Sequence, residues 1–404
     1  MTGAATGGDT VPGGASGARG AKPSVLLLST ATRWLGTARM PRMLARAGFD
    51  VALLTPRDSL AEKSRYVSRI GFLSPTTTPM EWLFSLIQFV EAVSPRLVIP
   101  CDEMVVRLLI ALVDEPPAGI EPEVKARLTA LITDSMGDPR FYATSIDKTL
   151  LTSAAEALGV RVPPHAVATD AQDATAHAEA LGYPLVLKRR FGFAGQGVEI
   201  VRSRDELVRA LPQLSGPDQL DLGELRPPQF LMQKFITGPY HSQALVALRG
   251  VPLAGFGWER FAATAAEKGQ TTLLRFVHSP ETRAASDTLC REFGMSGFFN
   301  VQFVIDRSDG KAYLLEINRR VVTHIHLGER VGRDLGKALF AALDGAPVAE
   351  EAAGDGKLPG PIVVFPREWL RDPRSPLLTE FPVDVPWDDP ELLEAMLALR
   401  HEQQ

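Results

Sequence analysis

The stretch Phe299-Asn-Val-Gln-Phe-Val-Ile-Asp-Arg-Ser-Asp-Gly-Lys-Ala-Tyr-Leu-Leu-Glu-Ile-Asn-Arg-Arg320 decides how the rest of the chain reads. Two alternating runs flank Ser308-Asp309-Gly310, which has the composition of a three-residue hairpin loop with glycine at its left-handed position. Such a loop pairs Arg307 with Lys311 and, counting back, sets Gln302 opposite Glu316. Asn318, two residues on, points to the same face. One face then carries Val301, Phe303, Ile305, Tyr313, Leu315 and Ile317 toward a core, and the other gathers Asn300, Gln302, Glu316 and Asn318. Oxygen ligands converging on one sheet face suit Mg²⁺, which takes few protein oxygens and completes its octahedron with phosphates and water. The competing explanation is an ordinary solvated sheet face.

Upstream, Pro184-Leu-Val-Leu-Lys188 reads as a strand and leads into a glycine-rich turn from Phe191 to Gly197, followed by the strand Val198–Val201. Gly192, Gly195 and Gly197 let backbone N–H groups approach phosphates, and Lys188 adds fixed charge at the strand end. No GK[ST] follows and no helix opens, so this is not a Walker A loop. Asp147-Lys148 opens an amphipathic helix through Leu158, ended by Gly159. A helix from about Asp173 to Leu181 is expected, and strands at Phe230–Phe235 and Gln243–Arg249 follow a polar loop, Ser215 to Pro228. At Gln233-Lys-Phe-Ile-Thr-Gly238 an apolar run gives way to a turn, where a strand edge offers backbone groups to an adenine.

Nearer the start, Ser24–Ser29, Val51–Thr55 and Leu97–Pro100 read as strands alternating with helices at about Trp34–Ala47, Pro79–Val93 and Glu103–Val113, the last capped by Asp102. That alternation predicts an α/β, Rossmann-like parallel sheet. The first turn, Ser29 to Arg33, has no GxGxxG, which argues against a dinucleotide site. Residues 1–22, rich in small polar residues, read as a disordered tail without a signal peptide's apolar run.

The chain has 404 residues and a net charge of -5, which opposes nucleic-acid binding through bulk basic charge. Its longest apolar stretch, Trp82–Val93, is too short to span a bilayer, so no membrane partner is expected. The two cysteines, Cys101 and Cys290, match no metal or disulfide spacing and fit a reducing cytoplasm.

Taken in order and spacing, these motifs resemble the ATP-grasp superfamily over roughly Ser145 to Gly345, in its carbamoyl-phosphate synthetase and D-alanine–D-alanine ligase style. The resemblance implies a Rossmann-like domain at 23–135, a two-lobed α+β domain at 136–345 (central lobe about 145–205, C-terminal lobe about 229–345) and a C-terminal extension at 346–404. It implies ATP held by Lys148, Lys188, Gly192, Gly195, Gln196, Gly197, the segment Gln233, Lys234, Phe235 and Ile236, and Tyr240, with His241 as the neighbouring ribose candidate. Glu316-Ile-Asn318-Arg-Arg320 looks like the family's Glu-x-Asn-x-Arg signature. The resemblance makes Gln302, Glu316 and Asn318 ligands for Mg²⁺ (or Mn²⁺) and gives the transferring phosphoryl group to Arg320.

Departures from the pattern are Arg189 where a proline commonly follows the second lysine, Gln233 for glutamate, and Arg319 for proline. Around Gly269, the basic residues Arg260, Lys268 and Arg275 are expected to hold substrate carboxylates. His324, His326, Glu329 and Arg330 are expected to line the substrate side, and no third ligand supports a metal pair at the two histidines. The implied activity is a ligase joining a carboxylate to an amine through an acylphosphate, with a homodimer as candidate assembly. The alternatives are a carboxylase or other phosphotransfer enzyme on the same scaffold, and a non-catalytic ATP-binding module.

Overall fold

The structure, a computed structural model, describes residues 22–74, 79–192, 197–214, 229–264, 269–347 and 358–400. The expected tail up to Ala21 and the polar loop 215–228 lie outside them.

The chain opens with a four-stranded parallel sheet of order β3-β2-β1-β4, built from β1 (Ser24–Leu28), β2 (Asp50–Thr55), β3 (Arg69–Phe72) and β4 (Leu97–Pro100). Its helices are α1 (Leu35–Ala47), α2 (Pro79–Val93), α3 (Glu103–Asp114) and α4 (Pro122–Met136). Gly48 ends α1 at φ 118°, a backbone angle that favours glycine, and the Asp102 carboxylate accepts the Val105 N–H at 3.1 Å to cap α3. Both faces of this sheet are covered. Val25, Leu27, Val51 and Leu53 enter one core, while Leu26, Leu28, Ala52 and Leu54 enter another.

Short helices α5 (Tyr142–Ile146) and α6 (Lys148–Ala157) lead into an antiparallel sheet of order β5-β8-β6-β7. Its strands are β5 (His165–Ala168), β6 (Leu185–Arg189), β7 (Val198–Val201) and β8 (Phe230–Lys234). Helices α7 (Ala171–Leu181) and α8 (Arg204–Leu214) bury one face on Leu185, Leu187 and Met232. The period of two turns Val186, Lys188, Ile200 and Gln233 to the opposite face, where they line a cavity.

The far wall of that cavity is a six-stranded sheet of order β13-β12-β9-β10-β11-β14. It comprises β9 (Tyr240–Leu248), β10 (Val251–Ala263), β11 (Thr271–Val277), β12 (Gly297–Ile305), β13 (Ala312–Asn318) and β14 (Ile362–Val363), with α9 (Pro280–Glu292) behind it and α10 (Leu335–Leu343) following. The C-terminal segment does two things here. Ile362 and Val363 cover the β11 edge, and α11 (Arg367–Arg371), α12 (Leu377–Glu380) and α13 (Pro390–Ala398) carry Leu392 and Met396 onto Leu35 and Ala38 of α1. Among the described residues no helix is long and apolar enough to cross a membrane, and both cysteines are free and buried.

The deciding hairpin differs from its expected geometry. Ile305 pairs with Ala312, and Asp306 and Lys311 close a four-residue loop, 307–310, in place of the three-residue loop. Asp306 and Asp309 stabilise the longer loop by accepting the Ser308 and Lys311 N–H groups at 2.8 and 2.9 Å. A bulge at Leu315 then shifts the register, and Gln302 still faces Glu316. Tyr313 and Leu315 are therefore not core residues. Ala312 and Leu314 are buried instead, while Tyr313 donates to Asp309 at 3.0 Å and Leu315 lines the cavity.

Candidate active site

Lys148 is held from both ends. Asp147 caps α6 by accepting the Thr149 N–H at 2.8 Å, and its second oxygen takes the Arg190 guanidinium at 2.5 Å. The Arg190 carbonyl in turn accepts the Lys148 N–H at 2.9 Å, which ties the start of α6 to the end of β6. The ammonium of Lys148 rests on the Gly192 carbonyl at 2.8 Å, and that of Lys188 on the Leu315 carbonyl at 3.2 Å. Both lysines are more than nine-tenths buried. Burial pushes Lys188 down to about 8, Glu316 pulls it back up, and Lys148 lowers it further.

Opposite them lie Gln302, Glu316 and Asn318, on one face because the bulge restores the register. Asn318 donates to Glu316 at 3.2 Å and accepts from Arg320 at 3.2 Å. Arg320 is fixed further by Glu103 of α3, at 2.8 Å, and by the Trp34 ring, 4.8 Å below its guanidinium. Burial pushes the Glu103 carboxyl up, while Arg320 and Lys148 oppose this. Asn300 is fully buried beside them, and neither side-chain atom has a partner among the described residues. The described residues contain no group of three or more His, Cys, Asp or Glu side chains placed to hold a metal ion by themselves. A cation held here would find one carboxylate and amide oxygens and would need phosphate and water for its other ligands, a donor set that fits Mg²⁺.

Gln233, paired with Val186 across β6 and β8, is buried at the cavity with both amide atoms unpartnered among the described residues, as suits a group that waits for a base edge. Phe235 donates its N–H to the Pro184 carbonyl at 3.1 Å, and Ile236 lines the cavity. The side chain of Lys234 goes elsewhere: its ammonium takes the carbonyls of Gly182 and Tyr183 at 2.8 and 3.1 Å, beyond the C-terminus of α7. Only the backbone of Lys234 is left to serve a nucleotide. Gly192 and Gly197 flank the turn, whereas Gly195 and Gln196 lie outside the described residues, as does Lys268. Tyr240 and His241 both line the cavity, with the Arg260 guanidinium 4.6 Å over the Tyr240 ring.

Arg275 is misplaced by the expectation that it contacts substrate. It does not line the cavity and pairs at 2.6 Å with Glu259, while Arg260 is the arginine that faces inward. His324 lines the cavity, but His326 is buried against Asp384 at 2.8 Å and makes no metal pair with it. Arg319, the departure from the signature, reaches Ser145 at 3.0 Å and the Met136 carbonyl, which joins β13 to the chain before α6. Trp34, Glu103, Trp258 and Arg367 were not foreseen. They come from four separate segments, and only tertiary packing brings Trp34, Trp258 and Arg367 to this cavity and Glu103 to Arg320.

A family profile described as an ATP-grasp domain matches residues 145–324. The carbamoyl phosphate synthase large chain of Xanthomonas axonopodis pv. citri is 26% identical over 48% of this chain and 19% of its own length. The D-alanine–D-alanine ligase of Ectopseudomonas mendocina is 26% identical over 44% of this chain and 56% of its own. This chain thus spans about a fifth of the first of these relatives. Among solved structures, the biotin carboxylase domain of Hydrogenobacter thermophilus 2-oxoglutarate carboxylase, determined with MgADP and bicarbonate, superposes with a TM-score of 0.60. It is 19% identical and covers 81% of this chain and 71% of its own, a likeness of fold.

Proposed function

We propose, from the match of residues 145–324 to an ATP-grasp domain profile, that this chain binds Mg·ATP between the two antiparallel sheets and joins a carboxylate to an amine. The observation that carries this is the convergence of buried Lys188 from one lobe with Glu316, Asn318 and Arg320 from the other on a single cavity, with the buried charge of Lys148 close enough to act on Lys188. A carboxylate is a poor acyl donor at neutral pH. Its oxygen attacks the γ-phosphorus, ADP leaves, and the acylphosphate so formed carries a good leaving group. The amine nitrogen then attacks the acyl carbon, phosphate departs, and the amine loses a proton.

In this scheme Lys148 and Lys188 hold the phosphates, and Gln233 with the Gln233–Ile236 backbone reads the adenine. Gln302, Glu316 and Asn318 would hold Mg²⁺, which when bound neutralises phosphate charge. Arg320, already aimed by Glu103 and Trp34, faces the transferring group. Positioning and charge neutralisation account for most of such catalysis.

Glu103 is then a positioning residue. Glu103→Gln removes a charged hydrogen bond worth roughly 1.5–3 kcal/mol from a side chain that touches no nucleotide in this scheme. The expected result is a kcat about tenfold lower or more, with the KM for ATP within about twofold. A lowered yield of folded enzyme with unchanged kcat would make Glu103 merely structural.

The general test is phosphate release from Mg·ATP with pools of carboxylates, alone and paired with amines. Release that needs both partners supports the ligase. Release stimulated by bicarbonate alone would replace it with carboxylation, and tight nucleotide binding without release in any pool would replace it with a binding module.

A further inference from the structure

The two lysines, the metal-side residues and Arg320 account for the nucleotide and the group it transfers, but they do not use up the cavity's charge. The strand registers place Glu316, Gln302, Ser242 and Trp258 in one row across β13, β12, β9 and β10. Two strand spacings put Trp258 about 10 Å from Gln302, and Arg260 lies two residues further along the same face of β10. From beyond β14, Arg367 enters the same space, anchored by Thr323 at 2.8 Å and by the Thr271 carbonyl at 3.4 Å. His324 completes the group, with its ring centroid 4.5 Å from that of Trp258.

These four side chains leave a surplus of unpartnered polar atoms, all of them donors except one nitrogen of His324. Nε and one Nη of Arg260, Nε of Arg367, Nε1 of Trp258 and both nitrogens of His324 have no partner among the described residues. Arg367, Trp258 and His324 are each more than nine-tenths buried. Burial together with the charge of Arg320 and Arg260 presses Arg367 down to about 10. Burial and the charge of Arg367 hold His324 well below the usual histidine range, hence neutral. Buried donors without acceptors are costly, and two guanidiniums facing one space without an acid between them are costlier. A carboxylate removes both penalties, since its two oxygens match a guanidinium fork and its charge offsets the pair.

We propose that Arg260 and Arg367, with Trp258 and His324, form a carboxylate subsite distinct from the phosphorylated carboxylate, so that the amine substrate is an amino acid held by its own carboxylate. The subsite stands on the geometry alone, while the identity of its ligand as the acceptor rests on the ligase function. The C-terminal segment thereby supplies a specificity residue, Arg367, as well as covering a sheet edge.

The test titrates the whole chain, with Mg²⁺ and a non-hydrolysable ATP analogue present, with the protein amino acids, succinate and the matching amino-acid amides. Calorimetry is the readout. At least one amino acid should bind saturably and its amide at least about 10-fold more weakly, as expected for losing charge-assisted bonds. Arg260→Gln and Arg367→Gln should each weaken that binding about 10-fold or more, Arg367→Lys should recover part of it, and analogue affinity, the control for folding, should stay within about twofold. If Arg367→Gln fails that control, Arg260→Gln decides alone. Amides that bind as well as acids, glutamine variants with unchanged affinity, or no carboxylate bound at all would each overturn the subsite. Succinate bound in preference to every amino acid would overturn the acceptor assignment. Carboxylate binding lost in the variants, with no phosphate release in any substrate pool, would keep the subsite and remove the ligase.

Discussion

Glu316→Gln is expected to lower turnover by about 10²–10³-fold, the usual loss when one charge-stabilising group leaves a phosphoryl-transfer site. Glu316 is the only carboxylate among the side chains assigned to the cation, so the isosteric amide removes the charge while keeping the shape. Its charge acts a second time. Glu316 is what pulls Lys188 upward against burial, so Glu316→Gln moves Lys188 further down. At neutral pH the variant therefore loses part of its phosphate-binding charge as well as a metal ligand, and Mg²⁺-free nucleotide binding should weaken too. Glu316→Asp keeps the charge and should retain more of both. The check is kcat together with ATP affinity measured with and without Mg²⁺. Turnover within a few-fold of the unmodified chain would exclude Glu316 from the chemistry.

The partnership of Gln302 and Glu316 was legible in the sequence, but through two offsets that cancel. The three-residue loop expected at Ser308-Asp309-Gly310 is one residue short, because the Asp306 and Asp309 side chains satisfy a longer turn. The bulge at Leu315 adds that residue back. Alternation alone carries no mark of a bulge, so the core assignments of Tyr313 and Leu315 failed while the polar face was still found. The N-terminal parallel sheet was legible for a simpler reason: its strands are buried on both faces and read as unbroken apolar runs between helices.

What remained hidden is long-range. Whether Arg260 or Arg275 turns inward depends on the register of β10 against β11, which sets Arg275 opposite Glu259 and Arg260 opposite Leu274, a pairing that local sequence does not reveal. Lys234 lies in a motif that suggests a nucleotide contact, yet the end of α7 offers its ammonium a ring of carbonyls at closer range. Arg367 sits nearly fifty residues past the signature, in a segment whose local sequence says only that it is short and partly helical. Its place in the cavity follows from β14 docking on β11.

Lys188→Met should give the second large effect, and its two parts should have opposite signs. Turnover is expected to fall about 10²–10³-fold, because a fixed charge facing the phosphates is gone. Stability is expected to rise. Lys188 is pressed from 10.5 to about 8 by burial, and the corresponding cost of keeping it charged at pH 7 is about 3 kcal/mol. Methionine fills a similar volume without that cost, although it leaves the Leu315 carbonyl without its partner, so a net gain of about 1–2 kcal/mol is the realistic size. That corresponds to a Tm rise of about 1–2 °C for a chain of this length.

The sign fixes the pH dependence. A lysine whose folded pKa lies below its unfolded value destabilises the fold fully below about pH 8, and the cost disappears as pH rises toward 10.5. The stability advantage of the methionine variant should therefore be largest at pH 7 and shrink steadily above pH 8. Nucleotide binding runs the other way. Phosphates raise the lysine's pKa in the complex, so its contribution to ATP affinity is complete below about pH 8 and falls away above it, with proton uptake on binding near pH 8. The decisive experiment follows Tm and ATP affinity of both chains from pH 6.5 to 10. A methionine variant that is less stable at pH 7 would show that Lys188 is not strained by burial, and an unmodified chain whose ATP affinity does not fall above pH 8 would show that it does not wait for phosphate.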